Sequence, residues 1–420
     1  MPTRSRPARA FLSALGPGIV SGAADDDPSG IATYSVAGAQ FGTALLWTAL
    51  VTWPLMSAVQ MMCARIGMVT GTGLMTALRR KFPRPLLAGA AMMLLIANTI
   101  NIGADLSGMA DGAELLTGVN SHLWVVLFGL AIGIATVELH YASIARALKW
   151  LAMVLFAYVA AAISLRPDWS AVLHATLVPV ALPASAWPTV VAILGTTISP
   201  YLFFWQASQE VEEEKARGRV TVEERQGATA TEVRVRRVDV ALGAFFSNLV
   251  MFFIILTTAL TLHSRGMAGL GTSREIAQAL EPIAGRFAAL LYTIGIIGTG
   301  VLAIPTLSCS AAYAFAEVFG WREGVDERFR GAPAFYMVVG MSMAFGAGMD
   351  FADINPVQAL YWSAVLNGLL APFLLAGILA LASDRTLMRG QPSSLASRLT
   401  VGATTVAMLA AAALMIASEL

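Results

Sequence analysis

Long apolar runs separated by short polar stretches make up most of this chain. A run of about 20 apolar residues is long enough to cross the hydrocarbon layer of a bilayer as a helix. Eleven such runs are predicted, and a proline interrupts both the first and the sixth. They lie at roughly 12–37, 43–68, 86–112, 122–140, 143–165, 187–208, 238–262, 284–315, 333–349, 356–382 and 398–418. The pattern predicts an all-α membrane protein with eleven transmembrane helices.

The positions of the basic residues predict how these helices cross the membrane. If the N-terminus lies in the cytoplasm, 23 of the 27 Lys and Arg residues fall on the cytoplasmic side. Loops rich in Lys and Arg remain in the cytoplasm. We therefore expect a cytoplasmic N-terminus, a C-terminus outside, and a location in a bacterial inner membrane. The basic start is similar to a secretion signal, but the acidic run after the first apolar segment favours a retained helix.

The same count predicts how the chain is divided. Each proline-containing run opens a block of five helices, and an odd number of crossings inverts the second block relative to the first. Within the second block, the charged stretch 209–237 is expected to be a solvated cytoplasmic loop. The predicted parts are a cytoplasmic N-terminus at 1–11, a first repeat at 12–165, an extracellular loop at 166–186, an inverted repeat at 187–382, and a linker with the eleventh helix at 383–420.

Composition and charge exclude several classes of function. The chain is 57% apolar and 13% charged, which places it in the membrane class, and no nucleic-acid partner is expected. The net charge of +1 does not indicate a partner, because the charges are confined to the loops. No glycine-rich phosphate loop is present, so this chain is not expected to use ATP. The expected partners are the lipid bilayer and a transported solute, and a monomer is expected to be sufficient.

The two interrupted helices indicate where a solute binds. The first contains DDDPSG at 25–30 and the sixth contains TTISPY at 196–201. Pro28 and Pro200 each remove a backbone donor and free a carbonyl inside the membrane, and Gly30 and Gly195 loosen the same two places. Paired breaks in an inverted repeat are the best sequence indication of a transporter's binding site.

The residues at the breaks favour a divalent cation. Carboxylates, hydroxyls and freed carbonyls are hard oxygen ligands, which suit Mg²⁺, Mn²⁺ or Ca²⁺. Asp27 is adjacent to the break and is expected to bind the ion. Successive helical residues point about 100° apart, so three consecutive acids cannot all face one ion. Asp25 and Asp26 are expected to line an aqueous vestibule, or one of them to be protonated through mutual repulsion.

These motifs resemble those of the natural-resistance-associated macrophage protein (Nramp) family of divalent-metal transporters, over about ten helices. The resemblance implies a LeuT-type fold with a 5+5 inverted repeat, broken helices 1 and 6, and here one extra C-terminal helix. The family's first-helix motif is Asp-Pro-Gly-Asn; Asp27 and Pro28 match it, and Gly30 stands at the ligand Asn. In the sixth-helix motif, Ala-x-x-Met-Pro-His, only Pro200 matches.

The other positions of the sixth-helix motif differ in chemistry. Thr196 stands at the Ala whose carbonyl binds metal, Ser199 at the metal-binding Met, and Tyr201 at the His. In the third helix, Asp105 stands at the central Asp of the family's proton pathway. The breaks and the resemblance together give a predicted binding set of Asp27, Gly30, Thr196 and Ser199. The predicted second tier of cavity or pathway residues is Tyr201, Asn98 and Asp105 at family motif positions, and Asp25, Asp26, Asn101, Asn248 and Asn367 as polar residues within the spans.

The chain lacks the thioether and two of the acids of the family motifs. In this respect it is similar to the Nramp-related magnesium transporters, which carry Mg²⁺ as well as Mn²⁺ without evident proton coupling. In the third helix, Asn98 and Gly108 stand where the family has acids. The resemblance implies a secondary transporter, not an enzyme, that moves partly hydrated Mg²⁺ or Mn²⁺ by alternating access. We expect uptake without proton coupling, and no cofactor beyond the transported cation. The alternative is the proton-coupled Mn²⁺/Fe²⁺ branch.

Some alternatives remain open. Asn101, Asn248 and Asn367 are candidates for the central cavity, although hydrogen bonding between helices is the favoured explanation. A cation-coupled carrier of an organic solute or amino acid would keep the same fold. A membrane enzyme that binds diphosphate through Mg²⁺ at an aspartate motif would need a second acidic motif and deep basic residues, and the sequence has neither.

Overall fold

The structure is a computed structural model that describes residues 17–138, 153–325, 327–352 and 354–419. Within these ranges the chain is almost entirely helical and contains no strand. The main helices of the first half are α1 (Pro17–Asp25), α2 (Pro28–Phe41), α3 (Leu46–Thr70), α4 (Arg84–Thr117), α5 (Ser121–Glu138) and α6 (Phe156–Ser164).

The second half contains seven further main helices. They are α7 (Trp187–Thr197), α8 (Pro200–Ala216), α9 (Ala230–Thr261), α10 (Ala288–Phe319), α11 (Pro333–Met349), α12 (Pro356–Ala382) and α13 (Leu395–Glu419). Short helices occur in the connections, at Leu74–Leu78, Trp169–Leu177, Val222–Arg225, Ser273–Ala277 and Glu281–Ala284.

Nine helical stretches in the described ranges are long and apolar enough to cross a membrane. Two predicted runs share one stretch, 28–70, because α2 leads into α3 through the short turn of helix at Gly42–Leu45. Most of the predicted fifth run, at 143–165, lies outside the described residues, and only its end is seen, as α6. The number eleven therefore stays a prediction.

Close backbone contacts at glycine bring the broken helices into the centre of the bundle. α9 lies against α1, α2 and α3, and α7 lies against α12. A Cβ added to Gly22 of α1 would lie 2.5 Å from the backbone of Gly243 in α9, and one added to Gly195 of α7 would overlap the backbone at Gly368 of α12. Only a residue without a Cβ permits these approaches.

The charged stretch 209–237 contains more helix than the sequence pattern predicts. α8 continues to Ala216, and α9 begins at Ala230. Capping boxes at Thr221 and Thr229 start the short connecting helix and α9. In such a box, the Thr side chain and a Glu three residues later satisfy the first free N–H groups of the helix. The irregular connection is therefore short.

Candidate metal-cation site

The first break lies between α1 and α2, at Asp26 and Asp27. Asp27 is the N-cap of α2, with extended backbone angles of φ −72° and ψ 171°. Its Oδ1 accepts hydrogen bonds of 2.7 Å from the Gly30 N–H and from the Ser29 hydroxyl. Pro28 occupies the first helical position, where no N–H donor is needed. The local sequence therefore holds Asp27 at the point of interruption.

The second break lies between α7 and α8, at Ile198 and Ser199. Ser199 has an extended backbone, and Pro200 begins α8. The Ser199 hydroxyl does not cap α8; it donates back to the carbonyls of Thr196 at 2.6 Å and Gly195 at 2.8 Å. The hydroxyl thus binds carbonyls at the end of α7, and its lone pairs are still available to a cation.

Each proline removes the donor that would bond the carbonyl four residues earlier. For Pro28 this carbonyl belongs to Ala24, and it accepts a 2.8 Å hydrogen bond from the hydroxyl of Tyr201 in α8. For Pro200 it belongs to Thr196, and it accepts the 2.6 Å hydrogen bond from the Ser199 hydroxyl. Both freed carbonyls therefore lie at the junction of the two broken helices, and each retains a second lone pair.

The two breaks face each other directly. A Cβ added to Gly30 in α2 would lie 3.1 Å from Thr196 Oγ1 in α7 and 3.3 Å from the ring of Tyr34. Thr196 Oγ1 is buried and has no hydrogen-bond partner among the described residues. The space beside Gly30 is thus taken by the threonine and the tyrosine, and a hydrated cation requires the two breaks to separate.

A polar chain from α4 and α12 reaches the first break. The Asn101 side-chain amide donates to Asp27 Oδ2 at 3.1 Å, and the Ser363 hydroxyl donates to Asn101 Oδ1 at 2.7 Å. Asp105 follows Asn101 by one helical turn, so the two side chains lie on the same face of α4. The Asp105 carboxylate is fully buried and accepts no hydrogen bond from the described part of the chain.

Asp25 and Asp26 turn away from the second break and toward α9. The hydroxyl of Ser247 lies 2.7 Å from Asp25 Oδ2 and 3.1 Å from Asp26 Oδ1. Asp25 is fully buried and Asp26 is 6% exposed, so neither carboxylate lines open water in this conformation. The proposed vestibule role of these two acids requires a more open arrangement.

The remaining predicted pathway residues are distributed among helix contacts. Asn98 in α4 donates to the carbonyl of Leu307 in α10 at 2.8 Å. Asn248 in α9 accepts a hydrogen bond from the hydroxyl of Thr52 in α3 at 2.5 Å. Asn367 in α12 is buried, and its Oδ1 has no partner within the described ranges. Asn98 and Asn248 thus form hydrogen bonds between helices.

The donor set at the breaks is made of oxygen atoms. No group of three His, Cys, Asp or Glu side chains in the described ranges is arranged to hold a metal ion. A cation at the breaks would therefore bind the Asp27 carboxylate together with backbone carbonyls, hydroxyls and water. Such a mixed oxygen set suits hard cations. Mg²⁺, for example, usually keeps several of its water ligands when a protein binds it.

A buried ion network ties α1 to α8 and α9 on the side of the 209–237 connection. The N–H of Gly18 donates to Asp239 Oδ2 at 2.8 Å. The Arg236 guanidinium lies 2.7 Å from Asp239 Oδ2 and 2.7 Å from Glu210 Oε1, and it also pairs with Glu213. Arg236, Glu210 and Asp239 are all buried, and the single guanidinium offsets part of the negative charge that is removed from water.

This network continues into α1 through a glutamine. The Ser21 hydroxyl donates to Gln206 Oε1 at 2.7 Å, and Gln206 Nε2 donates to Glu210 at 2.8 Å. The sequence pattern did not predict this cluster, because mixed charges at helical spacing are typical of a solvated stretch. One signal was present, since Arg236 and Asp239 are three residues apart and share a helix face.

The opposite side of the site is also closed. The carboxylate of Asp111, near the end of α4, accepts a hydrogen bond of 3.2 Å from the N–H of Ser273 in the connecting helix Ser273–Ala277. The side chain of Asn355 donates to the carbonyl of Gly271 at 2.7 Å. Asp27 is only 1% exposed. The two breaks are therefore shielded from water on both sides.

Comparison with known sequences gives a consistent result. A sequence model described as natural resistance-associated macrophage protein-like (Nramp) matches residues 18–418. The divalent metal cation transporter MntH of Deinococcus radiodurans is 25% identical over 400 residues, covering 91% of this chain and 84% of the relative. MntH of Yersinia pestis is 28% identical over 308 residues, covering 71% of each protein.

Solved structures have the same fold. The manganese transporter of Eremococcus coleocola superposes with a TM-score of 0.79 at 17% identity, covering 100% of this chain and 89% of that one. Mhp1, a nucleobase-cation-symport-1 family transporter, superposes with a TM-score of 0.55 at 17% identity, covering 96% and 91%. The predicted LeuT-type fold with broken first and sixth helices is confirmed.

Proposed function

Because this chain belongs to the Nramp family, we propose that it carries a divalent metal cation across a membrane by alternating access, with the cation passing between the two helix breaks. The names of its MntH relatives, which describe divalent metal cation transporters, support the class of cargo. The observation that carries the proposal is the position of Asp27, a buried carboxylate that caps the broken helix beside a freed carbonyl.

We further propose that Mg²⁺ is carried as well as Mn²⁺. The reason is the chemistry of the donor set: Ser199 stands where a thioether would add preference for softer metals, and Gly30 offers no side-chain ligand. Mg²⁺ prefers six oxygen ligands and gives up its water reluctantly. One carboxylate, a few carbonyls and retained water fit that requirement better than an all-protein cage.

Alternating access is supported by separate sets of contacts that hold the helices together on the two sides of the breaks. On one side, the network around Arg236 holds α1 against α8 and α9. On the other, Asp111 holds the Ser273–Ala277 helix over α4. If the contacts of the Arg236 network broke while the Asp111–Ser273 hydrogen bond stayed intact, or the reverse, a path to the breaks would open from one side only. Opening to the cytoplasm would then separate α1 from its neighbours.

Uptake is the proposed direction, because a negative-inside potential favours cation entry by about 2.3 kcal/mol per charge per 100 mV. Charge movement alone can then drive transport, without proton coupling. A second candidate is proton-coupled Mn²⁺ transport, and one observation favours it. Asp105 is buried, and within the described ranges its carboxylate has no hydrogen-bond partner. An unpaired intramembrane carboxylate is costly, so it needs either a proton or a cation.

The proposal is tested by flux into proteoliposomes that contain Mg²⁺ and Mn²⁺ indicators and a pH dye. The informative variant is Asp27→Asn, because Asn caps a helix about as well as Asp but lacks the charge. Asp168→Asn is the matched control, since Asp168 is also an N-cap, bonded to Ser170 and Ala171, but lies on an exposed connection.

We expect wild-type protein and Asp168→Asn to carry both ions without acidifying the lumen, and Asp27→Asn to lose at least 90% of the flux, which corresponds to about 1.4 kcal/mol. Mn²⁺ flux with acidification and no Mg²⁺ flux would support the proton-coupled candidate instead. Equal flux in wild type and Asp27→Asn would overturn the assigned path.

A further inference from the structure

An apolar groove runs along the membrane-facing surface between the start of α4 and the end of α12. It encloses about 670 Å³ and is lined almost entirely by apolar side chains. Leu86 and Met93 on α4 and Phe373 on α12 are more than half exposed along it. Large apolar side chains at such a surface contact lipid when the protein is in a bilayer.

The length of the groove matches one leaflet. Its α12 wall extends from Leu370 to Ala380, which is about 15 Å of helix at about 1.5 Å per residue. The hydrocarbon core of a bilayer is about 30 Å thick, so one leaflet contributes about half of it. An acyl chain of one leaflet would therefore extend along the whole length of the groove.

One end of the groove is positively charged. Phe82 and Ala380 line that end, and the adjacent Lys81 and Asp384 form an ion pair of 3.0 Å between the two walls. Next to this pair lie two exposed arginines, Arg80 and Arg385. Both belong to the Lys- and Arg-rich side, which the charge pattern predicts to be cytoplasmic.

We propose that this groove is a binding site for an anionic phospholipid of the cytoplasmic leaflet. The acyl chain lies between α4 and α12, and the phosphate lies beside Arg80 and Arg385. Apolar area alone would accept any lipid, whereas the basic end selects an anionic headgroup, because each basic residue near an anionic membrane surface contributes about 1 kcal/mol. This site is separate from the cation path, so its test does not depend on transport.

Glycine in the groove offers a direct way to fill it. A Cβ added to Gly89 meets no atom of the described residues within 4 Å, so Gly89→Leu should occupy the groove without strain. Leu also favours helix over Gly by roughly 1 kcal/mol, which protects folding. Gly348, at the exposed end of α11, also has open space around it and lies outside the groove. Gly348→Leu is therefore the matched control.

The experiment counts lipids bound to the purified full-length protein by native mass spectrometry. Phosphatidylglycerol and phosphatidylcholine with identical acyl chains are compared. We expect Arg80→Gln with Arg385→Gln to weaken phosphatidylglycerol binding about 30-fold, the equivalent of about 2 kcal/mol, and to leave phosphatidylcholine unchanged. Gly89→Leu should weaken both lipids, while Gly348→Leu and Arg234→Gln, an exposed arginine at the start of α9, should match wild type.

Four results would overturn the proposal. Equal binding of the two lipids by wild-type protein would remove the role of the arginines. Loss of binding in the control variants as large as in the groove variants would show general, unspecific association. Competition by glycerol 3-phosphate, which carries the headgroup phosphate without acyl chains, would indicate an anion site rather than a lipid groove. A change of oligomeric state in Gly89→Leu would indicate a second copy of the chain as the occupant.

Discussion

The hydroxyl of Tyr201 donates a 2.8 Å hydrogen bond to the carbonyl of Ala24, which Pro28 leaves without its helical donor. The corresponding carbonyl at the other break, that of Thr196, is bonded by Ser199. The two broken helices are thus joined by one tyrosine at the position where a cation would pass. Tyr201, which occupies the motif position where the Nramp family has a histidine, therefore connects α8 to α1 in this protein.

Tyr201→Phe should destabilise the closed arrangement. The substitution keeps the ring and leaves the buried Ala24 carbonyl without its partner, and an unsatisfied buried acceptor costs about 1–3 kcal/mol. We expect a lower thermal midpoint in detergent. Tyr158→Phe is the control, because Tyr158 is equally buried and its hydroxyl has no hydrogen-bond partner in the described ranges. Equal midpoints for the two variants would contradict a stabilising role for the bond.

Asn101→Leu should impair transport by removing the amide that orients Asp27. Hydrogen bonds to charged groups contribute about 1.5–3 kcal/mol, so we expect uptake efficiency, measured as kcat/KM for Mg²⁺, to fall by about 10- to 100-fold. Asn248→Leu is the control: it removes a hydrogen bond that Asn248 accepts from the Thr52 hydroxyl of α3, and one that it donates to the Ala244 carbonyl within α9. If Asn248→Leu lowers kcat/KM as much as Asn101→Leu, the effect is one of folding and not of the site.

Ser199→Met should shift the ion preference toward Mn²⁺. The substitution places a thioether at the second break, and soft ligands favour transition metals over Mg²⁺. We expect the ratio of Mn²⁺ to Mg²⁺ flux to rise by about tenfold, or about 1.4 kcal/mol. Ser199→Leu has similar bulk but no sulfur, and it separates steric from chemical effects. An equal ratio in the two variants would show that this position does not coordinate the ion.

Arg236→Gln should open the site on the side of the ion network. Removing one member of a buried charge cluster leaves the others uncompensated, at a cost of about 3–5 kcal/mol. We expect a thiol introduced as Ser21→Cys in α1 to be labelled at least tenfold faster in the Arg236→Gln background. Arg234→Gln, on the same helix but exposed, should leave the labelling rate unchanged. Similar labelling rates in the Arg236→Gln and Arg234→Gln backgrounds would show that the network does not hold α1 in place.

Sequence patterns predicted the helices and the breaks because both arise from local chemistry. Pro28 and Pro200 stand beside polar residues inside apolar runs, which favours a break there, whereas Pro54, Pro305 and Pro372 lie within continuous helices. A bilayer demands about 20 apolar residues per crossing. The pairing of the breaks followed from counting crossings. These features needed no knowledge of which helices touch.

Side-chain partners could not be predicted in the same way. The hydrogen bond from Tyr201 to Ala24 joins residues 177 positions apart, and no periodicity encodes it. The ion network around Arg236 depends on α8, α9 and α1 meeting, so the charges appeared to belong to a solvated loop. The tight fit of Gly30 against Thr196 also arises only from packing. The sequence identified which residues are unusual but not what they touch.

The position of Mn²⁺ in crystals of this protein, measured by anomalous diffraction, tests directly whether the cation binds between the two breaks. We expect one peak between α2 and α7, within coordination distance of the Asp27 carboxylate and a backbone carbonyl freed by Pro28 or Pro200. The peak should be absent in Asp27→Asn and present in Asp168→Asn. A peak elsewhere in the protein, or one at the breaks that persists in Asp27→Asn, would contradict the account.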